Sequence, residues 1–201
     1  MPLVFFSRFL AEAPMVLETE RLILDAWQSG DWTALRPIAT DVEVMRYITG
    51  GVPWSDDQIR SFVDRQIELY RTQGFCRWKL LEKPDRNQIG FCGVGLWRDM
   101  VEPEIGWWLA RPYWGRGLAT EAAVVALRDA FERVRLERIV SIAMVGNTAS
   151  TRIMEKLGLE FDSEFENEGF RLVKYAIDRA RYAGPGSAGV RFRQNLPENR
   201  A

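Results

Sequence analysis

The chain has 201 residues, 47% of them hydrophobic and 27% charged, with 27 basic against 28 acidic side chains, no histidine and two cysteines. At about 150 residues per domain this is one domain with some excess at the ends, and the balanced charge argues against a surface that tracks nucleic-acid phosphates. The missing histidine excludes a Ser-His-Asp triad, a His-ligated metal and a His base, while Cys76 and Cys92, not in a CxxC pair, exclude a disulfide framework and a Cys-rich zinc site and suit a reducing cytoplasm.

Residues 1–14 hold an apolar stretch from Pro2 to Leu10 and a small-x-small triplet, Ala11-Glu12-Ala13. Arg8 interrupts the stretch and no positive residue precedes it, so the segment reads as an N-terminal extension rather than a leader. No apolar run reaches the 18 or more residues of a membrane span. Residues 21–27 (RLILDAW) read as a strand. Asp31 is placed to cap a helix over 31–39, which Pro37 weakens. Ser55 opens a second helix, with Ile59, Phe62, Val63, Ile67 and Tyr70 on one face. Three β-like runs follow, 75–82, 89–98 and 104–109, joined by hairpin-length connections at 84–87 and 99–103, which predicts an antiparallel meander. Gly90, Gly93 and Gly95 within the second run mark a bulge or a close backbone contact. The near-continuously apolar helix at 118–134 is one buried against a sheet. A strand at 138–144, a helix at 147–157 ended by Gly158, and a hairpin of 159–166 and 170–177 complete the order β-α-α-β-β-β-α-β-α-β-β. This is α/β in the broad sense, α+β in strict usage: a mixed, mostly antiparallel central sheet flanked by helices. One domain spans 15–182, and residues 183–201, rich in Gly, Pro and polar residues, read as a mobile tail.

The segment that carries chemistry is 102–121, EPEIGWWLARPYWGRGLATE. A strand ends near Leu109, two glycines flank Arg116, and a helix starts at once. The free N–H groups and the dipole of such a helix start suit a phosphate or pyrophosphate. The pattern is not a P-loop, because no GK[ST] follows, nor a Rossmann fingerprint, because Thr120 stands where the third glycine belongs. A Gly-rich turn needed only for tight packing remains the alternative at this level.

Four stretches, in order, resemble the GNAT superfamily of acyl-CoA-dependent N-acyltransferases, in particular its RimJ/RimL-like branch. They are Thr19-Glu20-Arg21-Leu22-Ile23-Leu24, Glu104-Ile105-Gly106-Trp107-Trp108-Leu109, Tyr113 through Ala122, and Asn147 through Leu159. The match covers about residues 18–180. Trp114 stands where the superfamily often has Gln or Arg, so backbone N–H groups must carry the phosphate. No tyrosine occurs in 147–157 to act as general acid, which leaves Ser150.

The resemblance implies an N-acetyltransferase with acetyl-CoA as cosubstrate and no metal. The pantetheine arm would pair with the backbone of Trp107, Trp108 and Leu109. The pyrophosphate would sit on the loop formed by Trp114, Gly115, Arg116, Gly117, Leu118, Ala119 and Thr120. Asn147 would bond the pantetheine amides and Ser150 would reach the sulfur. A main-chain N–H near Gly106 or Trp107 would hold the oxyanion. Glu104 is the first choice of general base, directly or through a water, and its alternative is a solvated strand-end carboxylate. Trp32, Tyr47 and Trp54 are the acceptor-pocket candidates; Trp27 and Trp97 read as packing residues. Arg152 and Lys156 either meet the 3′-phosphate or are solvated helix charges. The acceptor would be a protein or peptide N-terminus or a small amine, with no nucleic-acid or membrane partner and a homodimer left open. Two other classes compete: a CoA-binding or sensory module without catalysis, and a nucleotide-binding protein using the same loop.

Overall fold

The computed structural model describes residues 15–96, 102–182, 184 and 193–194. The segment 1–14, most of the tail, Trp97 and most of the 99–103 connection lie outside the described residues. In chain order the elements are β1 (Leu17–Glu18), β2 (Leu22–Asp25), α1 (Trp32–Ala39), α2 (Val42–Met45), α3 (Asp56–Gln73), β3 (Arg77–Glu82), β4 (Gln88–Leu96), β5 (Pro103–Leu109), α4 (Leu118–Glu132), β6 (Arg138–Met144), α5 (Thr148–Lys156), β7 (Glu160–Asn167), β8 (Phe170–Asp178) and β9 (Arg193–Gln194). Among the described residues the strands form one nine-stranded sheet in the order β7-β8-β6-β5-β4-β3-β2-β1-β9.

Local chemistry accounts for most of these boundaries. Ser55 and Gln58 form a reciprocal capping box that starts α3, and Gly74, in the left-handed conformation, ends it. α1 runs through Pro37 and stops at Ala39. β3, β4 and β5 form the expected antiparallel meander. The register between β3 and β4 shifts at Leu80/Leu81, beside Gly90, where a side chain would run into the Trp108 carbonyl. Three short pieces were not foreseen: β1, α2 and β9. α2 has only four residues, too few for a period to show. Asp41 starts it by accepting the Glu43 N–H.

The core lies between the sheet and its helices. Leu22, Leu24, Trp78, Leu80, Ile89, Phe91 and Ile105 come from the strands, and Leu118 and Phe131 from α4. Cys76 and Cys92 are buried free thiols in this core, and burial pushes both far above the usual thiol range. Among the described residues no helix is long and apolar enough to cross a membrane, and no cluster of acidic or thiol side chains could hold a metal ion.

One joint in the sheet differs from the rest. Every other strand pair is antiparallel, whereas β5 and β6 run parallel and meet at a single pair, Glu104 with Val140. Beyond it the two strands diverge. The fork is where chemistry becomes possible.

Leu80 is fully buried and Phe161 is 59% exposed. Leu80→Ala should therefore cost about 2–5 kcal/mol of unfolding free energy, and Phe161→Ala less than about 0.5 kcal/mol. Urea titration measures both; the reverse order would contradict the placement of the core.

Candidate active site

The direction of the main chain at the fork follows from strand alternation. The Ile105 carbonyl accepts the Ser141 hydroxyl of β6 at 2.9 Å. The Ala110 N–H donates to Ile89 at the start of β4, also at 2.9 Å. Alternate residues face alternate neighbours, so the peptide groups of Ile105, Trp107 and Leu109 point toward β6. Ile105 is still satisfied there. Trp107 faces the widening gap. The Leu109 carbonyl is taken by the Trp114 indole N–H at 2.7 Å. A cleft of about 1320 Å³ opens from this gap and is lined by Glu104, Gly106, Trp107, Trp108 and Leu109 on one wall and Ile142, Ala143, Met144 and Asn147 on the other.

At one end the cleft reaches Trp114, Gly115, Gly117, Leu118, Ala119 and Thr120. Gly115 and Gly117 have φ of +71° and +77°, a conformation that disfavours any side chain. Gly117 stands at the N-cap of α4 and supplies no side-chain oxygen, so the first N–H groups of a 15-residue helix are left for a ligand. The Arg116 side chain turns away. Its guanidinium pairs with Glu82 at 2.6 Å and lies over the Tyr113 ring, so only its backbone belongs to the loop. The half-exposed Trp114 ring forms part of the wall.

The loop is held from behind by the turn between β1 and β2. The Arg21 Nε donates to Glu121 Oε2 at 2.7 Å, and its Nη1 donates to the Arg116 carbonyl at 3.0 Å. The Arg21 N–H and the Thr19 hydroxyl both donate to Glu121 Oε1. The stretch read as an opening strand thus also clamps the first turn of α4.

At the apex of the fork Glu104 is buried, and its carboxylate pairs with the Arg77 guanidinium. Arg77 starts β3, two strands away. Its side chain reaches Glu104 because Gly95 and Gly106 clear a trough. A Cβ at Gly95 would lie 2.9 Å from the guanidinium, and one at Gly106 would lie 3.4 Å from Arg77 Nε. Burial pushes the Glu104 carboxyl above the usual carboxylate range, while Arg77 and the Ile142 N–H pull it back. Glu104, Gly106 and Trp108 project from one face of β5. A solvated strand-end carboxylate, the alternative reading of Glu104, is excluded by this burial.

The other half of the cleft is aromatic. Trp108 lies 4.6 Å from Trp54 and 4.9 Å from Phe91, centroid to centroid. Phe62 of α3 packs on the same group. Tyr47 stands at the rim, 41% exposed. Trp32 does not join them: it is absent from the cleft wall, and its ring is covered by the Arg60 guanidinium at 4.2 Å. The expectation for Trp32 is corrected, because the start of α1 packs toward α3 rather than over the fork. Trp27 is a core residue, as expected.

Across the cleft, Asn147 caps α5 by accepting the Ser150 N–H at 3.2 Å. Its Oδ1 is thereby engaged, which leaves the amide nitrogen for a ligand. Ser150, Arg152 and Lys156 line the same wall. Sequence reasoning missed Arg77 and the clamping role of Arg21. The only signal for Arg77 was the run of glycines in β4, which spoke of close contact without naming what approached.

The raised Glu104 carboxyl has a consequence for stability. The folded chain holds that proton more tightly than the unfolded chain, so this contribution is full below the ordinary value of 4.5 and is lost as pH rises above it. Glu104→Gln should remove that part of the pH dependence. Between pH 4.5 and neutrality its stability should fall less steeply than that of the unaltered chain, as read by urea unfolding at a series of pH values; equal slopes would contradict the perturbed carboxyl.

The family model described as the acetyltransferase (GNAT) domain matches residues 21–160. An uncharacterised N-acetyltransferase of Bacillus subtilis, YnaD, is 27% identical over 169 residues, covering 81% of this chain and 96% of that protein. A GNAT-family acetyltransferase structure from Bacillus anthracis is 27% identical with a TM-score of 0.69, covering 83% of this chain and 99% of that one. The ribosomal alpha-N-protein acetyltransferase RimL shares the fold, with a TM-score of 0.63 at 17% identity over 81% of this chain and 94% of that one. The forked sheet, the helix start left open at its end and the match across residues 21–160 lead to one assignment: the chain belongs to the GNAT acetyltransferases.

Proposed function

We propose that the chain transfers the acetyl group of acetyl-CoA to a primary amine by direct attack in a ternary complex. The observation that carries this reading is the alignment of two features along one cleft: an unpaired strand edge at Trp107, and an open helix start at Gly117–Thr120. The first suits an extended chain bearing amides, which binds as an added strand. The second suits a pyrophosphate. Pantetheine and diphosphate are joined in that order in acetyl-CoA. Arg152 and Lys156 on the same wall have the charge to meet its 3′-phosphate, and neither has an ion pair among the described residues.

In the reaction the amine nitrogen attacks the thioester carbon, the C–N bond forms, the C–S bond breaks and the CoA thiol leaves. The Trp107 N–H is the donor for the carbonyl oxygen as negative charge develops on it. Glu104, three residues upstream on the same strand, takes the proton of the amine through a water. Ser150 relays a proton from water to the departing sulfur, taking one up as it gives one away, and Glu104 releases the amine proton to water, so that both side chains end as they began. Arg77 fixes the Glu104 carboxylate and offsets part of its burial. Trp54, Tyr47 and the Trp108 face form the entrance for the acceptor. We read the acceptor as a protein or peptide N-terminus or a small amine, in the manner of the RimJ/RimL-like branch, and place the protein in the cytoplasm, where its two free thiols stay reduced.

The engagement of Glu104 by Arg77 favours a second reading, an acetyl-CoA-binding module that does not turn over. A panel of amines assayed with acetyl-CoA by thiol release separates the two. Release with at least one amine is expected; acetyl-CoA binding without release from any amine would favour the module. Glu104→Gln should lower kcat about 100-fold with the KM for acetyl-CoA nearly unchanged; an unchanged rate across pH would remove Glu104 as the base. Gly117→Trp should abolish acetyl-CoA binding, because the left-handed backbone at Gly117 is strained for any side chain and a bulky one disturbs the turn that presents the helix N–H groups; retained affinity would remove the loop assignment.

A further inference from the structure

Glu121 poses an electrostatic problem. It lies in the first turn of α4, beside the N–H groups that the proposed function assigns to the pyrophosphate. A carboxylate there satisfies the positive helix end by itself and repels a second anion. Its side chain is only 10% exposed, so water screens it little.

The structure answers that charge with Arg21. The guanidinium meets both the carboxylate and the loop: Nε donates to Glu121 Oε2 at 2.7 Å, Nη2 lies 2.5 Å from the same oxygen, and Nη1 donates to the Arg116 carbonyl at 3.0 Å. A Cβ on Gly117 would sit 3.8 Å from Nη2, so the cation lies directly behind the glycine of the cradle. Thr19 and the Arg21 N–H complete the set on Glu121 Oε1. All of these groups act on one turn of chain, and the Arg116 carbonyl is engaged by a guanidinium that does not line the cleft.

We infer that Arg21 is a positioning residue for the cofactor site: it cancels the Glu121 charge and engages the Arg116 carbonyl, and so makes the start of α4 receptive to a diphosphate. The inference rests on the reading of the loop as the CoA diphosphate site. It is independent of the base, the acceptor and whether the chain turns over.

The test is a charge cycle read by calorimetric titration with CoA at fixed ionic strength. Arg21→Gln leaves Glu121 uncompensated and should weaken CoA binding about 10-fold or more, as expected for one unpaired charge within a few ångströms of the ligand. Glu121→Gln should bind CoA at least as tightly as the unaltered chain. The variant carrying both changes should return to within about 3-fold of it. Thermal melting without ligand reports the fold; Arg21 is 44% exposed at its side chain, and the Glu121→Gln arm stands even if Arg21→Gln fails to fold. Unchanged affinity in Arg21→Gln, weakened affinity in Glu121→Gln, or a double variant as weak as Arg21→Gln would each overturn the charge-cancelling role. No CoA binding by the unaltered chain would overturn the loop assignment itself and this inference with it.

Discussion

β5 and β6 meet at one residue pair, Glu104 with Val140, and then part. A sheet interior is the most demanding place for such a break, because main-chain N–H and C=O groups there have no water to fall back on and must find partners. The protein meets the demand with side chains at the two ends of the break and leaves the middle open. Ser141 satisfies the Ile105 carbonyl and Trp114 satisfies Leu109. The Trp107 peptide between them faces the cleft. The remaining features of the site are consequences of where that open edge leads: at one end to the glycines and the start of α4, at the other to the aromatic floor under α3.

Charge is placed at the fork with the same economy. Glu104 and Arg77 are both nearly buried, and a buried ion pair is seldom a net source of stability. Its presence is better understood through geometry. Two strands of glycine-bearing backbone are cleared to let one guanidinium reach one carboxylate, and the result is a fixed carboxylate at the point where β6 turns away. The Arg21–Glu121 pair does the equivalent at the other end, behind the loop. In each case an arginine from earlier in the chain, one on β3 and one in the β1–β2 turn, disciplines an acid on a later element, and sequence separations of 27 and 100 residues are bridged by the sheet.

Much of this was legible in the amino-acid sequence, for reasons that can be named. Periodicity, caps and turn residues gave the meander, α3, α4, α5 and the final hairpin, because each is a local decision. The double glycine around Arg116 marked the helix start for the same reason. What stayed hidden depends on register. Arg77 reads as an ordinary strand residue until β3 is laid beside β4 and β5. Trp32 reads as a cleft aromatic until α1 is packed and Arg60 covers it. α2 is too short for any period. The resemblance to acyl-CoA-dependent acyltransferases supplied the site's general place; the identity of the groups that hold it in shape came only from the packed structure.

The central claim is that one ligand bridges the open edge of β5 and the start of α4. Amide-resolved NMR during titration with acetyl-CoA tests it most directly. The account predicts that the largest shifts fall on the N–H groups of Trp107 and of Gly117 through Thr120, saturating together with one affinity. Shifts that leave Trp107 and the α4 start untouched, or that saturate at the two places with separate affinities, would contradict it.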